Sequence, residues 1–274
     1  MTILQGIVLG TLQGITEFLP ISSTAHLILV PWLLGWPDQG LTFDVVLHAG
    51  TLVAILSFFW RDWLSMLAGL AGRNRNADVS YRPNAWLLFL LICGTIPAGV
   101  AGYLAEHEVE TKLRSPLVLS ISLIGVALLL WMAERLSRKE KELREISLAD
   151  ALTVGAAQAV ALIPGTSRSG ITITAGLFRG MKRDAAARFS FLLSAPITAG
   201  AALKKLLELH RTGVAEAERL PLVLGFLASA AVGYLTIKYF LRFLQHSTLY
   251  LFIGYRMVLG VMILLLIWFA GFRA

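Results

Sequence analysis

Two stretches interrupt what is otherwise apolar sequence with Pro, Gly, hydroxyls, amides and charges. The first is Gln13-Gly-Ile-Thr-Glu17-Phe-Leu-Pro20-Ile-Ser22-Ser23-Thr24-Ala-His26, and the second is Gln158-Ala-Val-Ala-Leu-Ile-Pro164-Gly165-Thr166-Ser167-Arg168-Ser169-Gly170. Pro removes a helical hydrogen bond and Gly weakens helix continuity. Neither 3–36 nor 149–178 therefore reads as one straight spanning helix. Each reads as two short helices joined by a loop at membrane depth, a hairpin tolerated only where protein or a wet cavity shields its backbone.

The rest of the chain says membrane. It is 57% hydrophobic and 15% charged, against about 25% charged for a soluble domain. Ala85–Ala105, Pro116–Ala133 and Leu220–Ile237 carry no charge at all, and Leu249–Phe272 carries only Arg256. Crossing a bilayer takes about 20 apolar residues. Six spans are expected, near 41–60, 85–105, 116–134, 186–207, 220–241 and 249–271. The first apolar run ends in Glu17 without a basic leader, so no cleavable secretory signal is expected. The single Cys93 excludes an internal disulfide and reads as an apolar filler. The net charge of +7 fits basic cytoplasmic loops rather than a nucleic-acid partner.

The two polar stretches resemble each other. Each has a Gly three residues before its Gln (Gly10, Gly155), and each runs apolar into Pro-x-[Ser/Thr]-Ser. Phe43 to Gly50 lines up with Phe189 to Pro196. The expected architecture is an all-α polytopic integral membrane protein, with six transmembrane helices plus two re-entrant helix-loop-helix hairpins. It is one membrane domain of two repeats, 1–134 and 149–274, joined by a cytoplasmic linker, 135–148. Three crossings per half would place the second copy upside down, an inverted-topology repeat with its site near the midplane. With the 61–84 loop inside, 15 Lys and Arg lie on the inner side against 7 outside. Both termini are then outside, and hairpins entering from opposite leaflets bring their tips together. The mixed charges of the linker suit a solvated loop or a short surface helix.

Charge at bilayer depth costs about 2.5–3.5 kcal/mol on insertion scales, so Glu17 and Arg168 need a reason to be there. Each helix that follows a tip presents free N–H groups and a positive dipole end, an anion site. An Arg fork matches phosphate oxygens. Phosphate is therefore the leading ligand. Ser23 is expected as nucleophile, with His26 as its base or as acid for the leaving group. Arg168 would clamp the phosphoryl oxygens. Glu17 would orient Arg168 or hold a divalent cation, Mg2+ or Ca2+; no organic cofactor is expected. Gln13, Ser22, Thr24, Thr166, Ser167, Ser169 and Gly170 are the candidate phosphate-binding residues.

Structural readings stand beside these. Ser and Thr before a helix are commonly N-caps, so Ser22, Thr24, Thr166 and Ser169 could serve as caps alone. Glu17 and Arg168 could be a buried ion pair and nothing more. Asp44 and His48, four apart on one helix face, could line the cavity, ligate a metal, or satisfy the neighbouring hairpin. Arg256 could pair with an acid or phosphate, or snorkel. Trp32, Trp36, Trp60 and Trp63 read as interfacial anchors.

At these motifs the chain resembles the undecaprenyl-diphosphatases of the bacitracin-resistance type. The markers are Gln13-Gly-Ile-Thr-Glu17, Phe18 to His26 as Phe-Leu-Pro-x-Ser-Ser-Thr-x-His, and Pro164 to Gly170 as Pro-Gly-x-Ser-Arg-Ser-Gly. The likeness covers nearly the whole chain. It implies an enzyme of the bacterial inner membrane, its site opening to the periplasmic face, that hydrolyses undecaprenyl diphosphate to undecaprenyl phosphate and phosphate. That reaction recycles the lipid carrier for wall polymers, and overexpression in the family is linked to bacitracin resistance. The resemblance implies an acidic pair at Gln13 and Glu17, the nucleophile at Ser23, the histidine at His26, the essential arginine at Arg168, and a divalent cation. Two positions depart from it: Gln13 stands where many members have Glu, and Ala25 where Gly is common.

The expected partners are a polyprenyl diphosphate lipid and the membrane lipids, without nucleic acid; a homodimer is compatible with the sequence. The competing reading is a transporter that flips a polyprenyl phosphate on the same midplane anion site. A third is an anion channel, which needs donors but no nucleophile.

Overall fold

The computed structural model describes residues 1–71, 85–112, 115–212 and 215–270, without the side chains of 41, 105–112, 206, 209–212 and 270. Arg73, Arg75, Arg82, Lys112, Arg114, Arg211 and Arg273, which enter the orientation argument, lie outside the described backbone or side chains. The regular elements among the described residues are all helices, with one isolated bridge between Lys141 and Met181 as the only strand-like pairing among them.

The first polar stretch folds as α1 (Ile3–Thr16) and α2 (Ser23–Leu34), the second as α7 (Leu148–Val160) and α8 (Arg168–Phe178). The longest of these has 14 residues. At 1.5 Å per residue it reaches about 21 Å, short of the roughly 30 Å hydrocarbon core. Between the hairpins run α3 (Gly40–Phe58), α4 (Trp60–Leu70), α5 (Ala85–Lys112) and α6 (Pro116–Leu136); after them come α9 (Arg183–Thr212), α10 (Glu216–Leu244) and α11 (Tyr250–Ala270). Five described helices (α5, α6, α9, α10 and α11) are long and apolar enough to cross a membrane. The expected span at 41–60 differs: at Phe59 the chain bends by 68° into α4, so a sixth crossing exists only if this bent pair is one span. The segment after residue 60, expected as loop, begins as helix.

Large apolar side chains face outward along the long helices, among them Ile92, Ile96 and Val100 of α5 and Leu251, Val258 and Leu265 of α11. Lipid tails solvate such a face as well as protein does, so helix association rests on close backbone packing. Small residues supply it. Gly6, Gly10 and Gly14 of α1 lie against Pro221, Gly225 and Gly233 of α10. Gly155 of α7 lies against the Gly94 carbonyl of α5. A methyl group on Gly14 would stand 2.8 Å from the Gly233 nitrogen, so the two helices would have to part.

The short helices are closed at both ends. Thr2 and Ser147 open α1 and α7 with capping boxes, paired with Gln5 and Asp150 respectively. Pro31 cannot donate to the Leu27 carbonyl one turn back. That carbonyl takes the Gln39 amide instead, at 3.1 Å, and the same amide is held by Asp44 at 3.0 Å. Asp44 thus supports the neighbouring hairpin.

The linker holds the short surface helix that was one of the two expectations, a 3-10 turn at Leu143–Glu145 with Arg144 and Glu145 exposed, and is not a freely solvated loop. Leu143 and Ile146 are buried, and its chain is pinned to the α8–α9 turn: Glu140 and Lys141 N–H groups donate to the Gly180 carbonyl, both at 2.9 Å. Glu134 pairs with Arg183, Glu142 with Lys182 at 2.8 Å, and Asp150 with Lys141 at 3.1 Å and Arg179 at 2.6 Å. Mixed charge here marks ion pairs, two of them across 40 or more residues, which composition cannot distinguish from solvation.

Candidate active site

The tip loops meet in the protein interior. Ser22 and Ser167 sit at the starts of α2 and α8 with left-handed φ values of 74° and 67°. Their hydroxyls cap the N–H groups three residues on, Ala25 at 3.4 Å and Gly170 at 3.1 Å. A left-handed conformation is costly for a residue with a Cβ, so the surroundings must hold it. This geometry also corrects the alignment of the two motifs. Matching Pro-x-[Ser/Thr]-Ser pairs Ser23 with Ser167; the caps pair Ser22 with Ser167, and hence Ser23 with Arg168. Both of these are the first helical residue after a tip.

Arg256, fully buried on α11, joins the tips. Its guanidinium donates to the carbonyls of Pro20 (3.2 Å), Gly165 (3.1 Å) and Thr166 (3.0 Å), and to Ser122 and Leu123 of α6 (3.3 and 3.2 Å). It neither snorkels nor meets an acid. Three of the carbonyls it holds lie in the tip loops, outside any helix, and the two from α6 fix the guanidinium beside them. Ser169 Oγ adds a bond from the second tip to the Leu19 carbonyl of the first, at 3.0 Å.

Glu17 is the centre of the site. It is 6% exposed. Its Oε2 accepts from Ser23 Oγ at 2.7 Å and from Gln13 Nε2 at 3.0 Å, and lies 3.4 Å from His48 Nε2. Its Oε1 is paired with Arg168 Nη2. The other arm of the guanidinium, Nη1, donates to Thr198 Oγ1 at 3.0 Å. A hydroxyl and a guanidinium therefore meet on the two oxygens of one carboxylate, the guanidinium from 151 residues away in sequence.

The expected imidazole is placed differently. His26 Nδ1 donates to the Ser22 carbonyl and Nε2 meets the Tyr255 hydroxyl, each at 2.7 Å. Both ring nitrogens are occupied away from Ser23, so His26 does not stand as its base. The reason is helical geometry: a ring one turn along from Ser22 folds back onto that carbonyl. The group within reach of the Ser23 proton is Glu17.

The remaining hydroxyls divide. Ser22 and Ser167 are caps, and Ser167 also meets Ser169 Oγ at 3.2 Å. Thr166 is buried with its carbonyl on Arg256, and Thr24 is half-buried in the first turn of α2. A Cβ at Gly170 would lie 3.1 Å from Arg256 Nη1, close enough that the guanidinium would have to shift by a few tenths of an ångström. Thr198 and Tyr255 contact the key side chains and were not singled out by sequence. His48 was, through its spacing from Asp44, and it does line the site beside Glu17.

These features define a polytopic α-helical membrane protein whose broken hairpins bury a hydroxyl and an arginine on one carboxylate. Residues 6–262 match the family described as Bacitracin resistance protein BacA, and the chain belongs to that family. It is similar to the undecaprenyl-diphosphatase of Moorella thermoacetica, 49% identical over 268 residues, covering 98% of this chain and 99% of the relative. That of Geobacter sulfurreducens is 49% identical over 261 residues, covering 95% and 96%. That of Pelotomaculum thermopropionicum is 46% identical over 266 residues, covering 97% of each.

Proposed function

We propose that this chain is a membrane phosphatase that hydrolyses undecaprenyl diphosphate to undecaprenyl phosphate and inorganic phosphate, with Ser23 as nucleophile. The observation that carries the reading is Ser23 Oγ donating at 2.7 Å to a carboxylate that also holds Arg168. Relatives of nearly full coverage bear the name of that enzyme. A carrier or channel would need the anion donors but not a hydroxyl set on a base.

Glu17 takes the Ser23 proton as Oγ attacks the terminal phosphorus. The bond from that phosphorus to the bridging oxygen breaks, and undecaprenyl phosphate leaves with the electron pair and takes the proton from Glu17. Water then gives a proton to the freed Glu17 carboxylate as the water oxygen attacks the phosphoserine, and Glu17 passes that proton to Ser23 Oγ as the Oγ–P bond breaks and phosphate departs. Arg168 and the N–H groups at the start of α2 face the charge that develops on the phosphoryl oxygens. Arg168 already spans Glu17 and Thr198, so its planar fork is pre-set before a phosphate arrives.

A divalent cation, Mg2+ or Ca2+, fits this donor set. Gln13 Oε1 is buried without a partner beside Glu17. Magnesium commonly takes one or two protein carboxylates and completes its shell with substrate phosphates and water. Gln13 and Glu17 are the residues that would hold it, and its chemistry there would be neutralisation of the diphosphate. No group of three His, Cys, Asp or Glu suited to a metal occurs among the described residues, so the protein alone offers a weak site that the substrate would complete.

The halves 1–134 and 149–274 read as inverted copies in the bacterial inner membrane, with both termini periplasmic. Paired capping boxes, paired left-handed serines and the paired glycine crossings support the duplication.

Phosphate release from undecaprenyl diphosphate by protein in detergent tests the reading. Wild type should turn over, and Ser23→Ala and Arg168→Ala should each lose at least a hundredfold. Wild-type protein that binds the lipid and releases no phosphate would refute it.

A further inference from the structure

Both tips use a left-handed serine cap, yet they anchor its carbonyl by different means. At the second tip the Ser167 carbonyl takes the Ile171 N–H at 2.9 Å, an ordinary first helical bond. At the first tip the Ser22 carbonyl takes the His26 ring at 2.7 Å. The ring must be held in turn, because an imidazole that swings about its χ angles releases the peptide. Tyr255 holds it. Its hydroxyl lies 2.7 Å from His26 Nε2, and the two rings stack with centroids 5.6 Å apart and 6° between planes. A carbonyl can only accept, so Nδ1 carries the proton towards Ser22, and in the neutral ring Nε2 accepts from the Tyr255 hydroxyl.

We propose that Tyr255 is a positioning residue of the hydrolytic site: its hydroxyl fixes the His26 ring, the ring holds the Ser22 peptide, and that peptide seats Ser23 Oγ on Glu17. The chain of contacts runs from α11 to the nucleophile without Tyr255 touching Glu17, Ser23 or Arg168. It shares α11 with Arg256, which holds the same tip through Pro20. The two neighbours divide the work: Arg256 fixes the loop, and Tyr255 fixes the residue before the nucleophile. Tyr255 is 44% exposed, and removing its hydroxyl alone keeps the ring that stacks on His26.

This proposal rests on the hydrolase reading, and its test separates the two. Tyr255→Phe keeps the stacked ring and removes the hydroxyl. Its kcat should fall about tenfold with KM within twofold of wild type, because orientation rather than lipid binding is lost. Tyr255→Phe combined with His26→Ala should be no slower than His26→Ala alone, since both remove one chain of contacts. Amide exchange in 22–27 should quicken several-fold in Tyr255→Phe, while 164–171 is unchanged, a readout that does not depend on activity. Unfolding midpoints should match wild type. Wild-type kcat in an active preparation, losses that multiply in the double variant, or unaltered exchange at the first tip would each overturn the proposal. So would a drop in midpoint as large as that of Tyr255→Ala, which would assign the effect to packing. A preparation with no phosphatase activity but faster exchange in Tyr255→Phe would refute the hydrolase reading and leave the anchoring role standing.

Discussion

The two hairpin tips share one frame and carry different chemistry. Both begin from capped helices, cross a partner helix at glycine, and turn through a left-handed serine onto a new helix. In that shared frame Glu17 corresponds to Leu162, Ser23 to Arg168, and His26 to Ile171. The first tip thus supplies the proposed base and nucleophile and the ring, while the second supplies one cation and hydroxyls that cap its helix or bind the first tip. The same fold solution has been used once for reactivity and once for charge. Because Ser23 and Arg168 hold equivalent positions, whatever brings the tips together brings both onto one carboxylate.

Making the tips alike should destroy function. Glu17→Leu, which copies Leu162, removes the acceptor of the Ser23 proton and leaves Arg168 without its counter-ion. Phosphate release should fall at least about a thousandfold. Near-wild-type turnover in Glu17→Leu would show that the first tip is not the reactive one.

Arg256 tests what the tips have in common. Five carbonyls lean on it, three of them from the tip loops. Arg256→Met keeps the length and removes every donor. Each buried carbonyl left without a partner costs about 1–3 kcal/mol, so with partial rescue by water the loss should be about 3 kcal/mol or more. Unfolding in detergent would register it. Full stability in Arg256→Met would mean that the cross-tip bond from Ser169 to Leu19 holds the loops on its own.

Much of this was legible before the structure. Glu17 and Arg168 stood out because charge at membrane depth is rare, and the Pro and Gly interruptions forced hairpins. The role of His26 was not legible. Spacing says that residues 23 and 26 share a helix face, but the ring's partner Tyr255 lies 229 residues away. The register of the repeat misled for a related reason. Pro20 and Pro164 invite a match, yet what sets the turn is the serine with positive φ, and dihedrals are invisible in a motif. The bend after Phe59 and the pinned linker were missed because apolar length and charge mixture do not report direction or partner.

The feet of the two hairpins extend the comparison to pH. α1 begins with a neutral capping box, Thr2 with Gln5; α7 begins with a charged one, Ser147 with Asp150. Burial pushes the Asp150 carboxyl up, but the Ser147 N–H, Arg179, the Ser147 hydroxyl and Lys141 outweigh it and hold its pKa at about 2. The folded value lies below the unfolded one near 3.9, so the stabilisation is fully present above about pH 4 and is lost as pH falls through 2. With Lys141 and Arg179 partly exposed, solvent screening reduces the contribution to about 1–2 kcal/mol. The gap in stability between wild type and Asp150→Asn should therefore be constant from pH 7 to 5 and close between about pH 4 and 2, while Gln5→Ala should show no such closure. A gap for Asp150→Asn that persists to pH 2 would mean that the aspartate acts at the α7 terminus through shape and hydrogen bonding, as Gln5 does at α1, and not through its charge.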